Sequence, residues 1–190
     1  MSRITAPVEG RVIERRIDPG NLASPGILGA FYTGGTVVLA PGTDTAEIFR
    51  LVEQERVTVI AAVVPLISAW LASDEPKRFD HSSLKVVQNG GARLAPELRQ
   101  RLISELACTP QEIYGTAEGL INMTRLDDPL DIILHSSGRP VCDDDEIAVV
   151  DDEGVEVPDG EAGELITRGP YTIQGYYRAP EKNAEAFTPD

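Results

Sequence analysis

Histidine, cysteine and positive charge are all scarce in this chain. Two histidines, two cysteines and one tryptophan occur in 190 residues, and 17 lysines and arginines stand against 31 aspartates and glutamates. The resulting formal net charge of −14 argues against a nucleic-acid or anionic-membrane surface, because the summed field repels phosphates at long range. Any phosphate site must therefore work through local backbone amides and a metal ion. Cys108 and Cys142 are isolated and lack metal-ligand spacing, so a reduced, cytoplasmic setting is expected. His81 and His135 are isolated too, and are expected to be surface or loop residues rather than catalysts. Long apolar runs are also missing. The longest, Val57 to Leu71, is interrupted by Pro65 and falls short of the roughly 18 residues of a membrane span. No apolar signal-peptide region follows Arg3, so a soluble chain is expected.

What is present is ordinary for a globular protein: 42% hydrophobic and 25% charged residues, enough to bury one or two modest cores. Leu22 to Tyr32 reads as a helix entered through Ser24-Pro25 and ended by Gly34-Gly35. Thr36 to Ala40 reads as a strand, and Thr43-Asp44 starts a helix to about Glu55 with Ile48, Leu51 and Val52 on one face. Val57 to Ala61 is a strand, Pro65 to Ala72 a helix burying Trp70, and Leu84 to Val87 a strand. Ala95-Pro96-Glu97 opens a helix lined by Leu98, Leu102, Ile103 and Leu106. This alternation implies an α/β fold, a parallel sheet layered with helices. The pattern changes between residues 127 and 140. Glu146 to Asp151 and Glu164 to Arg168 are strand-like around an acidic turn-rich stretch, which predicts an antiparallel β region. Asp143-Asp144-Asp145-Glu146 and Asp151-Asp152-Glu153 lack the alternating ligands and glycine of a calcium loop and read as solvated turns.

One segment carries chemistry. The apolar run Gln111 to Tyr114 ends in Gly115-Thr116-Ala117-Glu118-Gly119, a turn offering backbone amides, a hydroxyl and a carboxylate within a few residues. Glycine lets the backbone approach a ligand, amides and Thr116 can meet phosphate oxygens, and Glu118 is a hard oxygen ligand. Taken alone, the segment is equally a surface turn after a strand. Two further blocks flank it: Gly90-Gly91-Ala92 after Leu84 to Val87, and Gly163-Glu164-Leu165 through Arg168-Gly169-Pro170 to Gly175-Tyr176-Tyr177.

In this order and spacing the three blocks resemble the adenylate-forming (AMP-binding) superfamily. The stretches Glu118 to Pro129 and Arg168 to Ile173 resemble its 2,3-dihydroxybenzoate–AMP ligase branch, which serves catechol siderophore synthesis. The resemblance runs from about Leu22 to the C-terminus and covers the middle of such an enzyme. It implies residues 22–126 as part of an α/β nucleotide- and acid-binding subdomain and residues 127–190 as part of a β-rich subdomain, a partial small barrel. The reaction implied joins an aromatic acid to the α-phosphate of ATP with Mg²⁺, then passes the acyl group to the phosphopantetheine thiol of an aryl or peptidyl carrier protein. By position, Gly90, Gly91, Ala92, Tyr114, Gly115 and Thr116 would bind nucleotide and Glu118 would hold Mg²⁺. Gly90-Gly91 would leave room for a planar ring to pass the backbone. Ser24, Ala92, Ile113, Gly115 and Ile121 would form a flat slot for a benzoate ring. No catalytic residue is assigned, and no chemistry is given to Gly163 to Leu165 or Gly175 to Tyr177.

The pattern also has departures. A phosphate loop ending in Pro-Lys, a His-Asn pair (Asp18 and Pro19 stand there), a ribose-gripping aspartate and a catalytic lysine are not found. Without them the polypeptide on its own is expected not to adenylate an acid at a useful rate. Uncovered sheet edges predict poor solubility or oligomerisation. Residues 1–21, with Ile4 to Val12 and Asp18-Pro19-Gly20-Asn21, instead resemble the hairpin of membrane-fusion (efflux adaptor) proteins. Two alternatives stay open: a ligase piece for salicylate, benzoate or another acid, and a non-enzymatic binding or adaptor-derived piece.

Overall fold

Short β-branched runs alternating with amphipathic stretches give a parallel sheet, since each inner strand must bury two faces and each helix one. The structure, a computed structural model, describes residues 11–15 as backbone, together with residues 30, 32 and 34–188. Five strands run parallel: β1 (Arg11–Arg15), β2 (Thr36–Ala40), β3 (Val57–Ala62), β4 (Val86–Gly90) and β5 (Thr109–Gly115). Their order in the sheet is β2-β1-β3-β4-β5, and two short strands follow, β6 (Ile121–Met123) and β7 (Arg139–Pro140).

β1 departs from the sequence expectation. Its residues pair in parallel with β2 on one side and β3 on the other, Arg11 opposite both Thr36 and Val57. Arg11 and Val12 thus pair within the sheet. The rest of the expected hairpin lies outside the described residues, as do Ser24 and most of the helix expected from Leu22 to Tyr32; Ala30 and Tyr32 are helical.

Three helices cover the sheet. In α1 (Thr45–Glu55) the Asp44 side chain accepts a hydrogen bond from the Glu47 amide at 2.9 Å, satisfying one donor that the first turn leaves unpaired. Its buried side chains are Ile48, Phe49 and Val52, four or fewer residues apart on one face. α2 (Val64–Leu71) has a proline in its first turn, where the missing amide costs nothing. Its Trp70 is 1% exposed and meets the Phe49 ring edge-on at 5.7 Å. α3 (Pro96–Leu106) buries Leu102, Leu106 and, against expectation, Arg99. The apolar side chains among these join Val57, Ile60, Leu84 and Val87 in one core.

The chain divides into two compact units, Met1–Tyr114 with Met123–Gly138, and Gly115–Asn122 with Arg139–Asp190. The first also contains α4 (Leu130–His135). The second contains β8 (Glu146–Val150), antiparallel to β9 (Glu164–Arg168), and α5 (Pro180–Ala186). Arg168 and Glu146 face each other across the two strands at 2.8 Å. The acidic stretches serve as turns: Asp151 accepts from the amides of Glu153 and Val155, and Asp145 accepts from the Tyr171 hydroxyl. In the second unit this strand pair, with an antiparallel bridge from Val150 to Glu156, forms no closed barrel among the described residues.

Candidate functional site

Parallel strands end together, and a parallel sheet offers its ligand sites where they end. β4 and β5 are in register from Val86 opposite Thr109 to Gly90 opposite Ile113, so Gly90 and Ile113 lie side by side at the carboxyl edge of the first unit. A Cβ built on Gly90 would sit 3.5 Å from the Ile113 carbonyl oxygen, an ordinary contact, so the protein's own packing does not demand glycine there. Gly91 is different. Its φ of +84° lies in the left-handed region, and the space beside it is open. Ala92 is exposed, as is Tyr114 at 41%, while Ile113 is half-buried.

Beneath this loop lies a buried polar group that the sequence reading missed. Asn89 donates through Nδ2 to the Glu112 carboxylate at 3.0 Å and to the Ala92 carbonyl at 2.8 Å. Arg99 Nη2 lies 2.9 Å from the same Glu112 oxygen, an ion pair whose geometry falls outside that of a hydrogen bond. Arg99 also donates to the carbonyls of Leu94, Ile133 and Ser136. All three side chains are at most 4% exposed. Burial lowers the affinity of the Arg99 guanidinium for its proton, opposed by the Glu112 charge. A lone buried charge is too expensive to persist, so the pair and its carbonyls make one unit. It ties β4, β5 and α4 to the segment carrying Gly91 and Ala92.

The remaining candidate residues lie in the second unit. The chain turns between Gly115 and Leu120: the Thr116 amide donates to the Leu120 carbonyl at 2.9 Å, and the Leu120 amide donates to the Thr116 hydroxyl at 3.4 Å. The hydroxyl thus accepts once and keeps its own proton to donate. Gly115 and Ile121 adjoin, since a Cβ on Gly115 would lie 3.5 Å from Ile121 Cγ1. Gly119 is buried, and a Cβ there would come within 2.7 Å of Thr172 Cα, so only glycine fits. Glu118 is half-buried and accepts a 2.5 Å hydrogen bond from the Tyr176 hydroxyl. That bond first, then a backbone amide, holds its carboxyl below the usual carboxylate range, and the Tyr176 phenol is raised in turn. Tyr176, a residue to which the sequence reading gave no chemistry, is therefore attached to the one assigned as a metal ligand. No cluster of three or more His, Cys, Asp or Glu among the described residues is placed to hold a metal. A small space of about 180 Å³ lies along Ile147 to Val149 and Glu156 to Glu161, and includes none of the candidates.

Residues 22–177 match the model of the AMP-binding enzyme family. The chain belongs to the AMP-binding enzyme family. The 2,3-dihydroxybenzoate-AMP ligase of Bacillus subtilis (strain 168) is 48% identical over 169 residues, 89% of this chain and 31% of that protein. A salicylyl-CoA synthase / salicylate adenylyltransferase of a Streptomyces species is 50% identical over 170 residues, again 89% of this chain and 31% of that protein. Among solved structures, apo MbtA of Mycobacterium smegmatis superposes with a TM-score of 0.83 at 35% identity, over 95% of this chain and 33% of that one. The chain thus spans about a third of the length of the AMP-binding enzymes it matches.

Proposed function

We propose that this chain is the nucleotide- and acid-binding part of an aryl-acid–AMP ligase, with 2,3-dihydroxybenzoate as its acid, acting in siderophore synthesis in the cytoplasm. The observation that carries this reading is the turn from Gly115 to Leu120. Its hydroxyl has a proton free to donate, and its carboxylate is held in the ionised form. In the reaction, an oxygen of the acid's carboxylate bonds to the α-phosphorus of ATP, and the bond from that phosphorus to the bridging oxygen breaks, releasing pyrophosphate. A carrier-protein phosphopantetheine thiol then takes the acyl group, and AMP leaves.

Two anions must meet, so orientation and donors aimed at phosphate dominate the barrier. Thr116 donates to the α-phosphate. Gly90, Gly91, Ala92, Tyr114 and Gly115 contact the nucleotide, with Gly91 able to hold its loop open because no side chain strains its backbone. Ala92, Ile113, Gly115 and Ile121, with Ser24, take the flat ring. Glu118 fits Mg²⁺, an ion that keeps most of its waters and takes one or two carboxylates together with substrate phosphates rather than an all-protein cage. When bound, the ion neutralises phosphate charge. Glu118 supplies the anchoring oxygen.

Calorimetric titration of this chain with a non-hydrolysable 2,3-dihydroxybenzoyl-adenylate analogue tests the reading. Binding tighter than that of AMP alone is expected, and loss of all adenylate binding with folded protein would end it. A second reading, salicylate, is favoured by the similarity to the salicylate adenylyltransferase, which is as close as that to the dihydroxybenzoate ligase. Comparison of the salicyl and 2,3-dihydroxybenzoyl analogues separates the two.

A further inference from the structure

Glu118 and its neighbour Gly119 are held by one segment of the second unit, residues 172–176. The Ile173 amide donates to the Glu118 carbonyl at 2.8 Å, and Gly119 packs directly on Thr172. The Tyr176 hydroxyl then reaches the carboxylate at Oε1. Tyr176 is itself fixed. Its amide donates to Asn183 Oδ1 at 2.7 Å, its carbonyl accepts from Asn183 Nδ2 at 3.1 Å, and its ring meets Phe187 edge-on at 5.4 Å. Asn183 lies on α5, and Phe187 follows it.

The chemistry of the partner matters. An arginine or lysine at this place would orient the carboxylate but cancel the negative charge that a cation needs. A neutral phenol orients it and leaves the charge. It also engages a single carboxylate oxygen, Oε1.

We propose that Tyr176 is a positioning residue for Glu118. The phenol fixes the carboxylate rotamer so that Oε2 is presented to Mg²⁺ on the nucleotide, and α5 sets the phenol through Asn183. This rests on the reading of Glu118 as the Mg²⁺ ligand. Partners that orient a ligand in this way commonly change metal affinity by about 10- to 100-fold when removed.

The test is calorimetric titration of the 190-residue chain with ATP in MgCl₂ and with ATP in EDTA. The ratio of the two affinities is the Mg²⁺ increment. It is expected to be present in the natural chain and absent in Glu118→Gln. In Tyr176→Phe it should shrink about tenfold, while affinity in EDTA changes by less than about twofold. Asn183→Ala, which does not touch Glu118, should lose part of it, and the double variant should be no worse than Tyr176→Phe. A merely structural role would lower both affinities together. If Glu118→Gln removes the increment and Tyr176→Phe leaves it intact, the positioning role is overturned and the metal reading stands. If the natural chain shows no increment, or Glu118→Gln keeps it, the metal reading falls and this inference with it.

Should Tyr176→Phe fail to fold, 3-fluorotyrosine labelling keeps the hydroxyl in place. The ¹⁹F resonance of Tyr176, assigned by replacing the other four of the five tyrosines singly, should shift on adding MgCl₂ to the ATP complex and not in Glu118→Gln. An unmoved resonance in the natural chain overturns the proposal.

Discussion

The two units of this chain are held together by different forces. In the first, apolar side chains such as Phe49, Val57, Ile67 and Leu102 are fully buried between sheet and helices. In the second, β8 and β9 form a two-stranded sheet that leaves Leu165 41% and Ile166 38% exposed, and α5 has no buried residue. Beside the buried Leu120 and Val150, the second unit relies on polar contacts: Tyr171 on Asp145, Arg168 on Glu146, Tyr176 on Glu118 and Asn183 on Tyr176. Apolar burial is cooperative and insensitive to pH, whereas single hydrogen bonds near solvent are worth about 1 kcal/mol each and depend on protonation. The contrast predicts that the first unit resists local opening and the second does not.

One cysteine in each unit measures this directly. Burial pushes the Cys108 thiol up to about 12, and it is 3% exposed, while Cys142 is half-buried. At pH 8, reaction of Cys108 with a thiol reagent should be on the order of a thousandfold slower than that of an ordinary cysteine, since only thiolate reacts. Mass-resolved labelling should find Cys142 modified first. Equal rates at the two sites would erase the proposed difference in opening.

The next largest effect should come from the buried ion pair inside the first unit. Glu112→Ala leaves the Arg99 guanidinium buried without its counter-charge and should destabilise the chain by about 3–5 kcal/mol. Arg99→Met combined with Glu112→Leu should recover much of that loss, because it removes both charges. Urea denaturation of the single and double variants provides the measurement. A smaller, local effect is expected of Gly119→Ala. Its methyl group would meet Thr172 backbone at 2.7 Å, and the displacement should cost about 1–3 kcal/mol. Hydrogen exchange should speed up around residues 115–122 and 169–176 and stay unchanged in α1 and β3.

The same contrast explains what could be read in advance. Strands β2 to β5, the helix pair flanking β3 and the burial of Trp70 follow from apolar periodicity, a local signal that the parallel sheet then satisfies. Arg99 was invisible because its partners are distant in sequence: Glu112 on the next strand and the carbonyls of Ile133 and Ser136. The apolar pattern placed Ile103 on the buried face where Arg99 was not expected. β4 was expected to stop at Val87 but runs to Gly90, since pairing with Ile113 overrides the tendency of Asn89-Gly90 to turn. At the candidate site the glycine and Thr-Ala-Glu motifs were legible, being contiguous. The Tyr176 contact with Glu118 spans 58 positions, and no local rule anticipates it. The pairing of β1 was missed because a parallel strand takes its register from partners far along the chain.

The smallest predicted effect is the pH dependence of that last contact. Glu118 has its folded carboxyl lowered, so the contact adds stability above the unfolded value of about 4.3 and loses it as pH falls through the lower folded value. Tyr176 has its folded phenol raised, so its contribution is complete below the unfolded value of about 10 and is lost as pH rises through the higher folded value. The two limits enclose a window from about pH 5 to pH 9 in which phenol and carboxylate are both in their bonding forms. Thermal melting of the natural chain and Tyr176→Phe should therefore differ by a constant amount across that window. The two curves should converge below about pH 4 and again above about pH 10. A difference that persists at both extremes would mean that the hydroxyl acts through packing, and a difference that vanishes at neutral pH would mean that the contact contributes nothing to holding the turn.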